Sequence, residues 1–397
     1  MGINRKKSFL IVFIFGVAYF FTYFHRLSLA VISNNLISDL KITIAGLGIL
    51  GSAYFYPYAI MQIPCGYITD KYGTRKIVAL SLIITAIGSI LFSYSVNLWI
   101  AFASRILIGL GVACIYVPAL NTFYELFGKE KFSFYTGILL SIGILGALAS
   151  SKPLLLVTNL IGWRNIFFMS GIISAIVALA AWFILVDKKK EKNDTQSIKE
   201  SFEFSSGLKS LALWFCIYSG IQLSFQSLWA APFLNSVFGF GSETIGNMLM
   251  FFSIGIALGN NLSGLIIKKI GTIKTLFFCA LSFSFCWLVL AMLPKESNVI
   301  SITLFLILTG AIIGGHLTSL YSSVREVAGE GKSGIALGIV NFAGFMGGAI
   351  FTQFTGNIIG GLAHLGEVKV YRLLYLCYFI ISLLLVILLL RKLQRDI

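Results

Sequence analysis

The sequence predicts an all-α membrane protein whose twelve transmembrane helices form two pseudo-symmetric six-helix bundles. Three observations lead to this fold class. Only 11% of the 397 residues are charged, whereas soluble domains carry about 25% charged residues. Apolar stretches of membrane-spanning length recur along the whole chain. Short motifs of the first half also return in the second half.

Each predicted span is an apolar run that is long enough to cross a hydrocarbon core of about 30 Å as a helix. The first run is too long for a cleaved signal peptide, and no small-residue cleavage site follows it, so it is predicted to be a span. The twelve predicted spans cover residues 8–33, 44–66, 76–95, 97–124, 132–158, 164–186, 209–236, 243–267, 273–294, 299–324, 333–361 and 370–390.

The net charge of +15 arises from cations that are sorted between the two membrane faces. Of the thirty Lys and Arg residues, twenty-two lie at the termini and in alternate loops, and only five lie in the loops between them. By the positive-inside rule, both termini are predicted to be cytoplasmic. We therefore expect a lipid bilayer and a small solute as partners, no nucleic acid, and a monomer. The richness in Ile, Lys and Phe is typical of AT-biased bacteria and indicates an inner membrane.

A polar segment divides the chain into two related halves. Residues 187–208 are charged and lack apolar periodicity, which predicts a cytoplasmic linker between bundles 1–186 and 209–397. "GYITDKYGTRK" (66–76) returns as "GLIIKKIGTIK" (264–274), and "FGKEKFSFYTGI" (127–138) returns as "AGEGKSGIALGI" (328–339). Such repeats place a substrate site at their shared interface near the bilayer midplane.

Three segments of the chain resemble segments of a known protein family. "GYITDKYGTRK" resembles the loop signature of the major facilitator superfamily (MFS) between spans two and three. "RILIGLGVACIYVP" (105–118) is similar to the fourth span of that superfamily, and "GILGALASSKPLLLVTNLIGWR" (143–164) is similar to its fifth. The resemblance covers essentially the whole chain. It implies the MFS fold and rocker-switch transport, in which two bundles tilt and expose a central cavity to each side in turn.

The loop signature predicts a gate made of Gly66, Asp70, Gly73 and Arg75. Asp70 is expected to accept charge-assisted hydrogen bonds from Arg75 or from neighbouring helix ends when the cytoplasmic side is closed. A solvated loop charge is the alternative interpretation. The second-half copy has Lys268 in place of Asp70, which predicts an asymmetric gate.

Three cations, Arg26, Arg105 and Lys152, lie inside predicted spans, and no carboxylate is obviously placed to pair with them. An ionised side chain in hydrocarbon costs several kcal/mol by most estimates, so these cations should face a wet cavity or helix carbonyls. A cavity with excess positive potential favours an anionic ligand. A structural role remains open for Arg105, and Pro153 can break the helix and leave carbonyls for Lys152.

The first span contains the strongest candidate for substrate binding. Tyr19, Tyr23 and Arg26 are spaced by four and three residues and share one helical face. The planar guanidinium can bind a carboxylate or a phosphate through two parallel hydrogen bonds. "YFHRLSLAV" also resembles the first-span "Y-x-x-R" pattern of organic anion and organic phosphate transporters, which implies that Arg26 binds substrate. In the organic phosphate pattern a second Arg is expected at the position that the repeat assigns to Trp229, so a phosphate ester is disfavoured as the substrate. A monocarboxylate, a dicarboxylate or a zwitterion such as an amino acid or peptide is favoured instead.

The repeat predicts an opposite wall of the same cavity. Gln222, Gln226 and Trp229 keep the spacing of the first-span trio, Gln353 corresponds to Lys152, and His316 corresponds to Tyr116. The predicted substrate-binding residues are Tyr19, Tyr23, Arg26, Tyr116, Lys152, Gln222, Gln226, Trp229, His316 and Gln353.

Energy coupling is left open between proton symport, facilitated diffusion and anion exchange. His25 or His316 can titrate near neutral pH, although a hydrogen-bonding packing role is the alternative for both. The sequence predicts no cofactor, no metal site, no phosphate-cradling loop and no enzyme active site. Two other functions stay open: a drug or metabolite efflux antiporter, and a transporter-like solute sensor. The first would be expected to show an intramembrane acid, and the second an appended soluble domain.

Overall fold

The protein, seen here in a computed structural model, is described at residues 5–187, 205–328 and 333–393. Within these ranges, eleven helices are long and apolar enough to cross a membrane, and the shorter apolar helix Phe134–Ala149 completes the predicted set of twelve spans. The all-α fold class is therefore confirmed. Residues 188–204 of the predicted linker lie outside the described residues.

The first six spans contain several interruptions that the hydropathy pattern does not reveal. Two long helices each contain a glycine with positive φ, Gly128 (φ 71°) and Gly162 (φ 78°), and these turns separate spans four, five and six. The helices of this half are Arg5–Leu40, Ile44–Ser52, Phe55–Met61, Pro64–Tyr72, Thr74–Ser93, Leu98–Ala113, Tyr116–Ala149 and Lys152–Ile184.

The second half holds one irregular turn in span seven. In the π-helical turn Phe225–Trp229, the backbone N–H of Ala230 donates to the carbonyl of Phe225. Such a turn contains one more residue than an α-helical turn, so it changes the face on which the following side chains lie. The other elements are the helices Ser206–Ser224, Ala230–Phe238, Ser242–Ile270, Thr272–Met292, Val299–Ala328, Ser333–Gly361 and Glu367–Leu393, with a 3-10 turn at Ala363–Leu365.

The repeat is visible in the backbone as well as in the sequence. Gly73 separates spans two and three with φ 91°, and its counterpart Gly271 separates spans eight and nine with φ 87°. This left-handed region strains residues that carry a Cβ atom, so glycine is the residue that fits both turns. The Cβ atom of any other residue at position 73 would also meet the carboxylate of Asp187.

The two halves are in contact at one membrane face. Twelve crossings leave both described chain ends at the same face, which we call the terminal face, and we call the other the distal face. At the distal face a Cβ atom placed on Gly48 would lie 3.0 Å from the Cα atom of Gly356. Trp229 Nε1 also donates to the carbonyl of Thr352 across 3.0 Å. These contacts close the distal face.

The terminal face is open. A central cavity extends from a mouth lined by Asp70, Lys71, Arg325 and Gly334 to a closed end at Arg26. Asp70 and Lys71 lie at the end of span two, and Arg325 lies at the end of span ten. The structure therefore represents a state in which the cavity is accessible from the terminal face.

Candidate substrate cavity

The central cavity has a volume of about 2640 Å³ and is lined by both halves of the chain. Six of the ten predicted substrate-binding residues lie on its wall: Tyr19, Tyr23, Arg26, Tyr116, Gln222 and Gln226. Lys152, Trp229, His316 and Gln353 are not part of this wall. In this state the predicted set therefore reaches both sides of the cavity, and four of its members lie nearer the distal face or inside the second bundle; the substrate-binding role of all ten stays a prediction.

Arg26 lies at the closed end and is 8% exposed. Its guanidinium carbon lies 4.8 Å from the ring centre of Tyr23, 4.9 Å from that of Tyr58 and 5.0 Å from that of Phe345. Its Nε atom has no hydrogen-bond partner, and neither of the two ion pairs found among the described residues includes it. Three aromatic rings thus surround a cation that hydrogen-bonds with the side chains of Tyr54 and Tyr58 but pairs with no carboxylate of the described residues.

The phenols beside Arg26 form a packed group. The ring centre of Tyr19 lies 5.3 Å from that of Tyr23 and 5.4 Å from that of Tyr116. Gly143 of span five allows this approach, because a Cβ atom there would lie 2.8 Å from Tyr19 Cε1. The predicted trio on span one therefore shares a face, as its spacing indicates, and span five supports that face from behind.

Sequence reasoning did not assign several residues of this wall to the site, among them Tyr58, Tyr321, Asn341 and Phe345. Tyr321 donates its hydroxyl hydrogen to Asn341 Oδ1 across 2.9 Å, and Phe345 packs on Tyr58 at 4.5 Å between ring centres. The sequence signal that could have identified them is the presence of polar and aromatic residues inside apolar spans. The helix face that meets the cavity depends on how the bundles pack, which the repeat alone did not determine.

The second-half wall carries a pair of amides. Gln222 Nε2 donates to Gln226 Oε1 across 2.6 Å on span seven. The two side chains are separated by one helical turn and both line the cavity. This part of the predicted opposite wall is where the repeat placed it.

Trp229 lies outside the cavity wall of this terminal-open state for a local reason, and its role in substrate binding stays a prediction. The π-helical turn that includes this residue adds a residue to the turn after Gln222, so the α-helical spacing no longer places Trp229 on the cavity face. Instead Trp229 is 1% exposed, and its indole N–H bonds to span eleven at the distal contact between the halves.

Gln353 and His316 also lie outside the cavity wall. Gln353 Oε1 accepts a hydrogen bond of 2.8 Å from the hydroxyl of Tyr56, which joins span eleven to span two. His316 Nε2 accepts a bond of 2.7 Å from the indole N–H of Trp214 inside the second bundle. Its neighbour Leu317 faces the cavity instead, so the repeat alignment was out of register by about one residue there.

The expectation that Lys152 is unpaired is wrong, and Lys152 does not line the cavity in this terminal-open state; its role in substrate binding stays a prediction. Lys152 Nζ lies 3.2 Å from Glu243 Oε1, at the start of span eight. The predicted break before Pro153 is present, and Lys152 begins the helix after it. The pairing could not be predicted from the sequence, because Lys152 and Glu243 lie on different spans and helical periodicity relates only residues of the same helix. The pair joins the two halves near the distal face.

We expect the Lys152–Glu243 pair to favour the terminal-open state. Lys152→Glu should shift the population towards closure of the cavity mouth by about fivefold, since an exposed ion pair contributes up to about 1 kcal/mol. Double electron–electron resonance between nitroxides on Tyr72→Cys and Val327→Cys, which are exposed at opposite sides of the mouth, measures this shift. The exchanged double variant Lys152→Glu/Glu243→Lys should restore the original distances, and a failure to restore them would contradict the role of the pair.

Arg105 and His25 form a structural unit behind the cavity. Arg105 Nη1 donates to the carbonyl of His25 across 2.8 Å, and its guanidinium carbon lies 5.0 Å from the ring centre of Tyr54. His25 Nε2 lies 3.2 Å from Ser89 Oγ. Both side chains are buried, and neither lines the cavity. These contacts match the structural interpretation of Arg105 and the packing interpretation of His25.

The predicted gate residues lie at the cavity mouth and just beyond it. Gly66 and Asp70 line the mouth. Arg75 pairs with Asp187 instead, with Nε at 3.4 Å from Oδ2, and the backbone N–H of Arg75 donates to Oδ1 across 2.8 Å. In the terminal-open state Arg75 therefore holds the end of span six, and the expected role of Asp70 in closing the mouth remains a prediction.

Comparison with known proteins places this architecture in a family. The family model of the Major Facilitator Superfamily matches residues 11–352. The chain belongs to the major facilitator superfamily. The resemblance seen in its loop and span motifs is confirmed, and so is the arrangement of two pseudo-symmetric six-helix bundles. The protein is a membrane transporter of solutes, not an enzyme.

Individual MFS proteins resemble it over most of their length. The probable sulfoacetate transporter SauU of Cupriavidus necator is 23% identical, with 89% of this chain and 88% of the relative covered. The gentisate transporter of Corynebacterium glutamicum is 24% identical, with 86% of this chain and 80% of the relative covered. The inward-facing, occupied structure of a bacterial homologue of the human lysosomal transporter Spinster matches with a TM-score of 0.79 at 16% identity, over 100% of this chain and 99% of that one.

Proposed function

We propose that this transporter moves a small organic anion, with a carboxylate as the anionic group, and that Arg26 binds that group. The observation that carries the proposal is the position of Arg26 at the closed end of the cavity, where no carboxylate of the described part of the chain is paired to it. A guanidinium in this position offers two parallel hydrogen bonds to a planar carboxylate. The tyrosine hydroxyls around it can donate further bonds.

The distribution of charge along the cavity supports an anion. Of the charged residues on the described wall, Lys71, Asp70 and Arg325 belong to the mouth, and Arg26 alone lies deep. An anion entering from the mouth therefore moves towards a single fixed positive charge in a partly dehydrated space, where electrostatic attraction is stronger than in water. A lipophilic cation would meet repulsion at the same place, which disfavours a drug-efflux function.

The similar proteins point to the same class of substrate. Two of them are named as transporters of sulfoacetate and of gentisate, and both compounds are small organic anions. Their names support the chemical class of the passenger without identifying it.

In the proposed cycle, bundle 1–186 and bundle 209–397 tilt about the cavity and open the terminal and distal faces alternately. The terminal face is assigned to the cytoplasm of a bacterial cell because the basic loop residues concentrate there, and the transporter is taken to work as a monomer in the inner membrane. Because His25 and His316 lie outside the cavity wall, we assign neither of them to proton coupling.

A thermal-stability screen of the purified full chain tests the proposal. Benzoate, gentisate, sulfoacetate, hexanoate and D-gluconate form the anion set, and tetraphenylphosphonium and uncharged sorbitol form the comparison set. We expect members of the anion set to raise the melting temperature in a concentration-dependent manner, whereas the cation does not. Proteoliposome counterflow with the most stabilising anion, in radiolabelled form, should then show accumulation.

Two outcomes would contradict the proposal. One is stabilisation by tetraphenylphosphonium with no response to any anion. The other is anion binding without counterflow, which would show that the stabilising anion is not the transported solute.

A further inference from the structure

The two walls of the cavity differ in charge and in hydrogen-bonding character. The first-half wall contains the guanidinium of Arg26 and the phenols around it. Away from the mouth, the described second-half wall presents neutral polar groups from four spans: Ser219, Gln222, Gln226, Asn260, Tyr321 and Asn341. A solute that spans the cavity therefore meets a cation on one side and uncharged amides and hydroxyls on the other.

The amide pair on span seven leaves one donor and one acceptor for a ligand. The bond from Gln222 Nε2 to Gln226 Oε1, 2.6 Å long, orients both amides. It leaves the Gln222 carbonyl oxygen free to accept and the Gln226 amino group free to donate. A ligand hydroxyl both donates and accepts, so it can satisfy such a pair, whereas a carboxylate accepts only.

The groups on spans ten and eleven repeat this pattern. The hydroxyl of Tyr321 donates to Asn341 Oδ1 across 2.9 Å, which leaves the amino group of Asn341 to donate and the phenol oxygen to accept. Both residues line the cavity on the side opposite Arg26's own bundle. The one cation of the described second-half wall is Arg325, which lies one helical turn beyond Tyr321 towards the mouth. A second carboxylate held at the amides would therefore lose its hydration without a cation among the groups that bind it, which is costly for an ionised group.

We propose that the second-half wall selects the uncharged body of the substrate, and that the substrate is a hydroxylated monoanion of the sugar-acid type. Its single carboxylate binds Arg26, and its hydroxyl groups bond to Gln222, Gln226, Tyr321 and Asn341. This inference rests on the proposed function of the same cavity. The wall disfavours an alkyl carboxylate, because an alkyl chain offers these amides no hydrogen-bond partner.

A set of six-carbon probes separates the contributions of the two walls. D-gluconate carries one carboxylate and a hydroxylated chain, hexanoate lacks the hydroxyls, and D-glucarate adds a second carboxylate; D-galactonate and D-mannonate vary the hydroxyl configuration. Apparent affinities come from thermal titration of the purified full chain. We expect the best sugar acid to bind about tenfold or more tightly than hexanoate, from two or three added hydrogen bonds, and more tightly than D-glucarate.

Variants of the amide pair identify the wall that is responsible. In the Gln222→Leu/Gln226→Leu variant, the advantage of the sugar acid over hexanoate should fall to about threefold or less, because two of its partners are lost. Asn357→Leu is the matched control, since Asn357 lies on span eleven, is exposed and is not part of the cavity wall. It should retain the full advantage.

The outcomes distinguish this inference from the proposed function. If anions bind through Arg26 but hexanoate or D-glucarate binds as tightly as the best of D-gluconate, D-galactonate and D-mannonate, the inference is wrong and the proposed function stands. The inference is also overturned if the amide variant keeps the full discrimination. If no anion stabilises the protein, or if stabilisation survives Arg26→Gln, the proposed function is wrong and this inference falls with it.

Discussion

Arg26→Gln is expected to weaken the binding of the most stabilising anion by about 10- to 150-fold, because the amide can replace one of the two guanidinium donors and the other hydrogen bond to a charged partner contributes about 1.5–3 kcal/mol. The guanidinium is the only charged group on the deep part of the described wall, so no neighbouring cation replaces it. Thermal titration measures the affinity, and counterflow should fall in parallel.

Two further variants separate charge from geometry and from general effects on folding. Arg26→Lys keeps the charge but loses the planar pair of donors, so its affinity should lie between those of the wild type and Arg26→Gln. Arg164→Gln is the matched control, because Arg164 stacks on Trp163 at 4.3 Å and does not line the cavity. Normal anion affinity in Arg26→Gln would show that the passenger binds elsewhere.

Arg26→Gln should lower the melting temperature of the ligand-free protein only slightly. Arg26 is a nearly buried cation without an ion-pair partner among the described residues, so removing it relieves a desolvation penalty. Arg105→Gln should lower the melting temperature, since it removes the bond from a buried guanidinium to the carbonyl of His25. The contrast separates a cation held for binding from one held for structure.

Gly356→Val is expected to prevent tight closure of the distal face. A Cβ atom on Gly356 would lie 2.9 Å from the Cα atom of Gly48 and 2.9 Å from Trp229 Cζ2, so the backbones of spans two and eleven would have to separate. Overpacking of this kind costs about 1–3 kcal/mol. Because the cost applies to the distal-closed state, the population of the terminal-open state should fall by about 5- to 150-fold relative to the opposite state.

The spin-label pair at positions 72 and 327 measures this shift as a shorter distance across the cavity mouth, in a background in which the six native cysteines are replaced. Gly361→Val is the control on the same span, because no atom lies within 4 Å of a Cβ atom placed there. An unchanged distance distribution in Gly356→Val would mean that spans two and eleven do not determine which face is open. Global unfolding, if it occurs, appears in the melting temperature and is distinguished from a shift between folded states.

Of the intramembrane cations that favour an anionic substrate, the structure leaves only Arg26 in the predicted environment. The sequence suggested three unpaired intramembrane cations, but Lys152 has Glu243 and Arg105 has the carbonyl of His25. Arg26 alone retains the expected environment of a cavity and aromatic partners. The preference for one carboxylate over two follows from this change, because a single deep cation balances a single negative charge.

The sequence by itself determined the features that depend on local periodicity and on the membrane. Apolar runs of sufficient length specify the spans, and the spacing of Tyr19, Tyr23 and Arg26 specifies one face of an uninterrupted helix. The repeat identified the two halves and placed Gln222 and Gln226 across the cavity. Gln222 lies in the regular helix before the π-helical turn and Gln226 is the second residue of that turn, so the extra residue changes the face only of later positions such as Trp229.

Only the tertiary structure decided the features that depend on interrupted helices and on contacts between the halves. The π-helical turn rotates Trp229 away from the cavity, and the break before Lys152 directs that cation to Glu243 on another span. Tyr58 and Phe345 meet Arg26 because spans one, two and eleven converge there. Periodicity describes one helix at a time, whereas these contacts are set by packing between helices that lie far apart in the chain.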